Sequence, residues 1–198
     1  MTKYLAVLGS IVCLLLPVMA QAQISAFFET QTMTPEVHDK LIIDAGAAVK
    51  LNENFSLRFF TLMNSGWAQA HFGPIWQPVD WLQLGVSLGG RQGPEGMDLQ
   101  TAYLLGLKNG RVNFTGQVEV GRLAYDGDDS QVWYDLTLRV KTLEWLTLGV
   151  KDRRPAGVGP VVEFNFWEMT AWVAWVPLNS EETEFDFART LIGLKIGL

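Results

Sequence analysis

The sequence predicts an all-β fold: a closed, antiparallel, up-and-down transmembrane β-barrel of about twelve strands. Three observations predict it. Apolar and polar residues alternate along most of the chain, short connections alternate with longer ones, and many glycines lie on the polar side of the alternation. Because a strand directs successive side chains to opposite faces, the alternation gives each strand one apolar and one polar face.

The strands are clearest where the alternation is unbroken, as in residues 131–141. There Val132, Tyr134, Leu136, Leu138 and Val140 share one face. The predicted strands are 24–33, 39–51, 55–64, 67–77, 80–92, 97–108, 111–123, 130–141, 144–152, 158–167, 169–177 and 184–198. Most are near the roughly 9 to 11 residues that a tilted strand needs to cross a bilayer. A barrel of about ten strands stays open if residues 55–77 pair differently.

The connections between these strands alternate in character. Short turns are predicted at 52–54, 79–80, 109–110, 143–144 and 167–168, and mostly longer polar loops at 34–38, 93–96, 126–130, 153–157 and 179–183, with 64–66 as a short exception. Asn109-Gly110 is a strong hairpin motif. Membrane barrels have short turns at one end and longer loops at the other. An even strand count therefore places both chain ends beside the short turns.

The apolar face is predicted to point outward, toward lipid. Glycines weaken a strand that faces water, whereas an interior crowded with large side chains gives them a reason to be there. Tryptophans also lie near the predicted strand ends, as in the aromatic belts at membrane interfaces: Trp67, Trp76, Trp81, Trp145, Trp167 and Trp175. The opposite sidedness would make the chain a soluble secreted barrel that carries an apolar ligand.

Residues 1–22 are predicted to be a secretory signal peptide, which leaves 23–198 as the barrel domain. Lys3 begins it, an apolar stretch follows to Pro17, and Ala20-Gln21-Ala22 suits cleavage after Ala22. A transmembrane anchor is the alternative. Cleavage removes the one cysteine, Cys13, and one of 15 basic residues, against 21 acidic ones. The exported chain would then have no disulfide and no basic surface for nucleic acid.

The last residues add a resemblance to a known class. Gly193, Ile196 and Leu198 are spaced as in the C-terminal insertion signal of bacterial outer-membrane β-barrel proteins, which include the porins. The chain resembles that class along the whole predicted barrel, although Leu198 stands where Phe is usual and Leu191 where a polar residue is common. The resemblance implies a Gram-negative outer membrane, lipid contact, periplasmic chaperones and the barrel-assembly machinery as partners.

The polar faces predict what lines the interior. Candidate lumen residues are Arg58, His71, Arg91, Gln117, Glu119, Asp135, Arg139, Glu163, Arg189 and Lys195. Further charges on the same faces are Lys50, Lys108, Arg111, Lys141, Lys151, Glu29, Asp44 and Asp98. Trp133, Phe27, Phe60 and Phe187 are expected to narrow the space.

Two interpretations of this interior remain open. Basic side chains outnumber acidic ones there, and rings of Arg and Lys bias a pore toward anions, so a narrow channel for small anions or sugar acids is one. The other is a filled interior in which opposite charges pair across neighbouring strands. The second describes a non-conducting structural or adhesion barrel.

Enzymatic and metal chemistry have weak support in the sequence. A lipid hydrolase in a barrel would need a Ser activated by a His. His71 and Ser87 lie on neighbouring polar faces, but no local motif joins them. His38, in a predicted loop, and Asp126-Gly-Asp-Asp129 lack the spacing of metal sites. We therefore expect no enzymatic activity, no catalytic residue, no cofactor and no metal.

Overall fold

The computed structural model describes residues 23–34, 41–94, 96–121, 132–178, 185 and 187–197. They form twelve strands: β1 (Ile24–Thr34), β2 (Ile42–Lys50), β3 (Phe55–Met63), β4 (Ala68–Val79), β5 (Leu82–Gly93), β6 (Gly96–Asn109), β7 (Val112–Gly121), β8 (Val132–Leu143), β9 (Leu146–Arg153), β10 (Gly157–Phe166), β11 (Met169–Trp175) and β12 (Thr190–Gly197). The predicted signal peptide, His38, Asp126–Asp129 and Leu198 lie outside the described residues. Within the described ranges, no helix has the length and apolar character that a membrane-spanning helix requires.

Each strand pairs antiparallel with its neighbours in sequence, and β1 pairs with β12 to close the barrel. The closing register runs from Phe27 opposite Gly197 to Thr34 opposite Thr190. The predicted closed barrel of twelve strands is confirmed. The ten-strand alternative is wrong, because residues 55–63 and 68–79 form two separate strands that pair with each other.

The apolar faces point outward around the barrel. Leu84 is 37% exposed and Leu138 is 44% exposed, whereas Gln117 and Arg139 line the interior. The same holds for large outward residues on other strands, including Phe59, Phe72, Leu99, Tyr103, Val150, Val173 and Ile192. The predicted sidedness therefore agrees with the structure. An inverted barrel, with the apolar faces inward, does not.

The short turns lie at one end of the barrel, together with Gln23 and Gly197. Gly110 has a φ of +57°, which a two-residue hairpin of the Asn-Gly kind requires. Trp167 reaches a φ of +53° in the turn between β10 and β11, and its side chain is 98% exposed. At the opposite end, the β5–β6 connection is shorter than predicted, since Gly93 pairs directly with Gly96.

The last strand is shorter than predicted, and its approach differs. β12 begins at Thr190, not at residue 184. Before it, Leu178 makes isolated bridges to Val158 and Phe185. Phe187 was expected inside, but it is 72% exposed and its ring lies 6.1 Å from that of Trp175. Phe187 therefore lies beside an exposed tryptophan, and the alternation on which the Phe187 prediction rested does not extend upstream of Thr190.

Candidate functional site

The barrel encloses a cavity of about 420 Å³. Nine charged side chains line it: Arg58, Arg139, Lys151, Arg153, Lys195, Glu29, Asp44, Asp135 and Glu163. Aromatic side chains of Phe27, Phe60, Trp133 and Trp172 line it as well. The interior is therefore a polar space with aromatic walls, of the size that suits a small solute.

Hydrogen bonds reach across this interior between strands that are not neighbours. Arg58 Nη2 on β3 donates to Gln117 Oε1 on β7 at 2.8 Å. Gln69 Nε2 on β4 donates to Glu119 Oε2 on β7 at 2.8 Å. Arg153 on β9 donates to Gln31 on β1. These side chains span the lumen and narrow it.

Most interior charges have partners. Lys151 Nζ lies 2.6 Å from Asp135 Oδ1, and Arg153 Nη1 lies 3.6 Å from Asp135 Oδ2. Arg139 Nε lies 2.6 Å from Glu163 Oε1. Such pairing is required where charged groups leave bulk water, because an isolated buried charge is strongly unfavourable.

Two of the cations lack such a partner. Within the described residues, no carboxylate oxygen lies within 4.0 Å of the side-chain nitrogens of Arg58 or Lys195. Each instead lies over an aromatic ring: Arg58 Cζ is 4.9 Å from the centre of the Phe60 ring, and Lys195 Nζ is 4.4 Å from that of Phe27. Both cations line the cavity, and Lys195 lies opposite Glu29 in the pairing of β12 with β1.

Glycines make room for the large interior side chains. A Cβ on Gly193 would come 2.3 Å from the ring of Trp172, and one on Gly46 would come within 2.4 Å of the Phe27 ring. Trp172 lies flat over the neighbouring strand and donates from Nε1 to Glu29 Oε1 at 2.6 Å. The glycines of the polar faces are thus the surface on which these rings lie.

One part of the interior is apolar. Val161, Trp172, Ala174 and Leu191 are buried together, and Met33 packs against them. Leu191 lies opposite Ala174 on one side and Met33 on the other. This packing gives a physical reason for Leu191, an apolar residue where the resemblance to outer-membrane barrels implies a polar one.

The predicted lumen residues fall into two groups. Those that line the cavity are Arg58, Gln117, Asp135, Arg139, Glu163 and Lys195. His71, Arg91, Glu119 and Arg189 do not line it. Glu119 is 1% exposed and His71 is 2% exposed, and both are enclosed by neighbouring side chains. Arg189 precedes β12 and donates from Nη1 to the Ala156 carbonyl at 3.3 Å.

Sequence reasoning missed three residues that shape the cavity. Arg153 was assigned to a loop, yet it ends β9, is 5% exposed and lies 5.1 Å from the Trp133 ring. Trp172 and Gln31 were not singled out either. The alternation could have identified them, because residues two apart on a strand share a face. Trp172 shares a face with Ala174 on β11, and Gln31 shares a face with Glu29 on β1.

Lys141 lies at the rim of the barrel, where it pairs with a carboxylate of the turn. Lys141 is 47% exposed near the β8–β9 turn, where its Nζ lies 2.6 Å from Glu144 Oε2. This hydrogen bond from Lys141 holds the pKa of Glu144 below its usual range. Lys141 lies outside the cavity lining, which makes it a suitable control for the interior cations.

His71 packs against aromatic and glycine neighbours and is not paired with Ser87. The His71 ring stacks on Phe60, with centres 6.5 Å apart, and lies over Gly89. Ser87 lies against Gly73, and no hydrogen bond joins Ser87 to His71 within the described residues. Nor do the described His, Cys, Asp and Glu side chains form a group of three that would hold a metal ion.

Comparison with known proteins gives a structural likeness without a sequence one. No protein-family model and no curated protein matches the chain. The NanC porin structure in a rhombohedral crystal form superposes with a TM-score of 0.54 at 8% identity, over 86% of this chain and 98% of that one. The ferric-catecholate import receptor Fiu from E. coli K12 gives a TM-score of 0.31 at 11% identity, over 80% of this chain and 31% of that one, too partial a likeness to bear on the fold. The protein has a porin-like β-barrel fold.

Proposed function

We propose that the protein is an outer-membrane barrel that forms a narrow channel for small, preferentially anionic solutes. The membrane assignment is supported by the outward apolar wall and by the tryptophans at its short-turn end. These are Trp76, Trp81 and Trp145, which are between 44% and 56% exposed. Such a wall in water would expose an extensive apolar surface. In a bilayer the wall contacts lipid acyl chains instead of water, and the closed sheet pairs the backbone N–H and C=O groups.

The observation that carries the channel is the cavity with two cations, Arg58 and Lys195, that form no ion pair within 4.0 Å with a described residue. Arg58 and Lys195 face the space that a solute would cross. A fixed cation in a low-dielectric wall attracts anions and repels cations more strongly than it would in bulk water. The pore would therefore favour anions even though the whole chain carries a net charge of −6.

A non-conducting barrel is the second candidate. It is favoured by the side chains that cross the lumen, Arg58 to Gln117 and Gln69 to Glu119. If these bonds hold permanently, the interior supports the wall and passes no solute. A barrel of this size lies between small filled barrels and large open porins, so conductance has to be measured.

The experiment is a reversal-potential measurement in planar bilayers under a KCl gradient. We expect an anion-selective conductance in the wild-type protein. Arg58→Gln and Lys195→Gln should each move the reversal potential toward the cation-selective side. Lys141→Gln, at the rim, should leave it unchanged. Conductance without anion preference would refute the selectivity, and absence of conductance at every voltage would leave the structural barrel.

We further propose that the chain has no enzymatic role, because His71 is buried on the inward side, away from lipid. Export with cleavage after Ala22, and assembly by periplasmic chaperones and the barrel-assembly machinery, belong to the same proposal. Mass spectrometry of the mature N-terminus tests the cleavage: a chain that begins at Gln23 is expected, and a retained Met1 would contradict it.

A further inference from the structure

We propose that the cavity contains a subsite for small dicarboxylates, which binds one carboxylate at Arg58 and the other at Lys195. The inference rests on the proposed channel and names its solute class. The subsite consists of four side chains that line the cavity: Arg58, Phe60, Phe27 and Lys195. Arg58 lies over Phe60, the Phe60 and Phe27 rings are 6.4 Å apart, and Lys195 lies over Phe27.

The strand register keeps the two cations apart. Phe60 and Phe27 lie in one row across the barrel wall, since both pair with Gly46, and Gly197 continues that row. Arg58 lies two residues before Phe60 on β3, so it is on the short-turn side of the row. Lys195 lies two residues before Gly197 on β12, which runs in the opposite direction, so it is on the side of the row away from the short turns. The ring pair separates two positive ends.

Both cations have donors to spare. The Arg58 guanidinium carries five N–H donors, and its hydrogen bond to Gln117 uses one nitrogen. Lys195 Nζ makes no hydrogen bond to a described residue, and its contact is with the Phe27 ring. The other three cavity cations are engaged: Lys151 and Arg153 with Asp135, and Arg139 with Glu163. A ligand with two anionic ends would therefore meet its donors at these two places.

The space between the two cations is apolar and favours a ligand with a hydrocarbon spacer. Phe27 and Phe60 present apolar surface to the cavity, and Leu62 and Leu104 line it nearby. Burying a hydrocarbon spacer there lowers the binding free energy, whereas a polar group in the middle of the ligand finds no partner between the rings. Chloride or acetate meets one cation at a time. A dicarboxylate with an apolar spacer of matching length contacts both.

Binding of an aliphatic dicarboxylate series from malonate to suberate, and of terephthalate, tests the subsite. The readout is titration calorimetry on the folded barrel in detergent, with monocarboxylates of matched length for comparison. We expect affinity to pass through a maximum at one spacer length and to exceed that of the matched monocarboxylate about tenfold or more, as expected for one added charge-assisted hydrogen bond. Affinity that follows charge alone, without dependence on spacer length, would overturn the proposal.

Variants separate this subsite from general electrostatics. Arg58→Gln and Lys195→Gln should each reduce dicarboxylate affinity to the monocarboxylate level, Arg58→Lys should retain part of it, and Lys141→Gln should have no effect. An equal loss in Lys141→Gln would refute a local subsite. Because calorimetry does not require conduction, length-dependent binding in a non-conducting protein would refute the channel alone, and anion-selective conductance without length-dependent binding would refute the subsite alone.

Discussion

Individual residues in this barrel are matched across neighbouring strands, and the clearest case is Trp172 lying on Gly193. The ring covers the glycine, and its Nε1 reaches Glu29 on β1. The pair therefore links β11, β12 and β1 at the place where the barrel closes. At this scale a glycine contributes by having no side chain, since any Cβ would displace the ring.

We predict that Gly193→Ala destabilises the barrel by about 1 to 3 kcal/mol, because the added methyl must move the Trp172 ring and break its hydrogen bond. The measurement is the urea midpoint of refolding into detergent, which needs no assembly machinery. Gly66→Ala is the matched control: its Cβ would meet only Asn64 Oδ1, at 3.7 Å, and the midpoint should not change. Equal shifts in both variants would contradict the packing argument.

At the scale of elements, the hairpin between β6 and β7 shows how local sequence sets the strand register. Asn109 pairs with Val112 around Gly110, which has a positive φ. A one-residue slip would turn every following side chain to the other face, so the turn also decides which residues reach the lumen. The downstream pair Gln117 and Glu119 depends on it.

We predict that Gly110→Val lowers the free energy of unfolding by about 1 to 2 kcal/mol, while Gly110→Asn is nearly neutral. The left-handed conformation is costly for most L-residues, most of all for β-branched ones, whereas Asn adopts it readily. Urea titration of both variants checks this. A similar loss in both would show that side-chain space at the turn, and not its backbone conformation, is the limiting factor.

At the scale of the whole molecule, the barrel has one continuous outward apolar wall and one polar interior. Val86, in the middle of β5, is 45% exposed on that wall, and Leu51, in the β2–β3 turn, is 51% exposed at its edge. The two residues are similarly exposed, at 45% and 51%, but differ in the depth that they would have in a bilayer. Comparing substitutions at the two positions therefore separates the effect of the membrane from the effect of surface exposure.

We predict that Val86→Arg costs about 2 to 4 kcal/mol in lipid vesicles, and Leu51→Arg about 0 to 1 kcal/mol, because the penalty for an arginine on the lipid face falls from the midplane to the interface. Heat-modifiable gel migration against urea gives the folded fraction. Equal costs at both positions would contradict a membrane-spanning wall and return the chain to the soluble-barrel alternative.

The sequence by itself determined the closed antiparallel barrel, the short-turn end and the sidedness of the wall, and it left the strand number between ten and twelve. These follow from period-two alternation and turn chemistry, which are local and repeat along the chain. The alternation also identified the inward parity of Arg58, Gln117, Asp135, Arg139, Glu163 and Lys195. It erred at Phe187, because the strand it assumed begins only at Thr190.

Only the tertiary structure decided which interior residues meet. Arg58 and Gln117 are 59 positions apart, and Arg153 and Gln31 are 122 apart. Their contacts depend on how far each strand is shifted against the next around a closed ring, which no local pattern records. The same accumulated shift placed His71 and Glu119 in an enclosed cluster and left Arg58 and Lys195 in the cavity without an ion pair within 4.0 Å to any described residue.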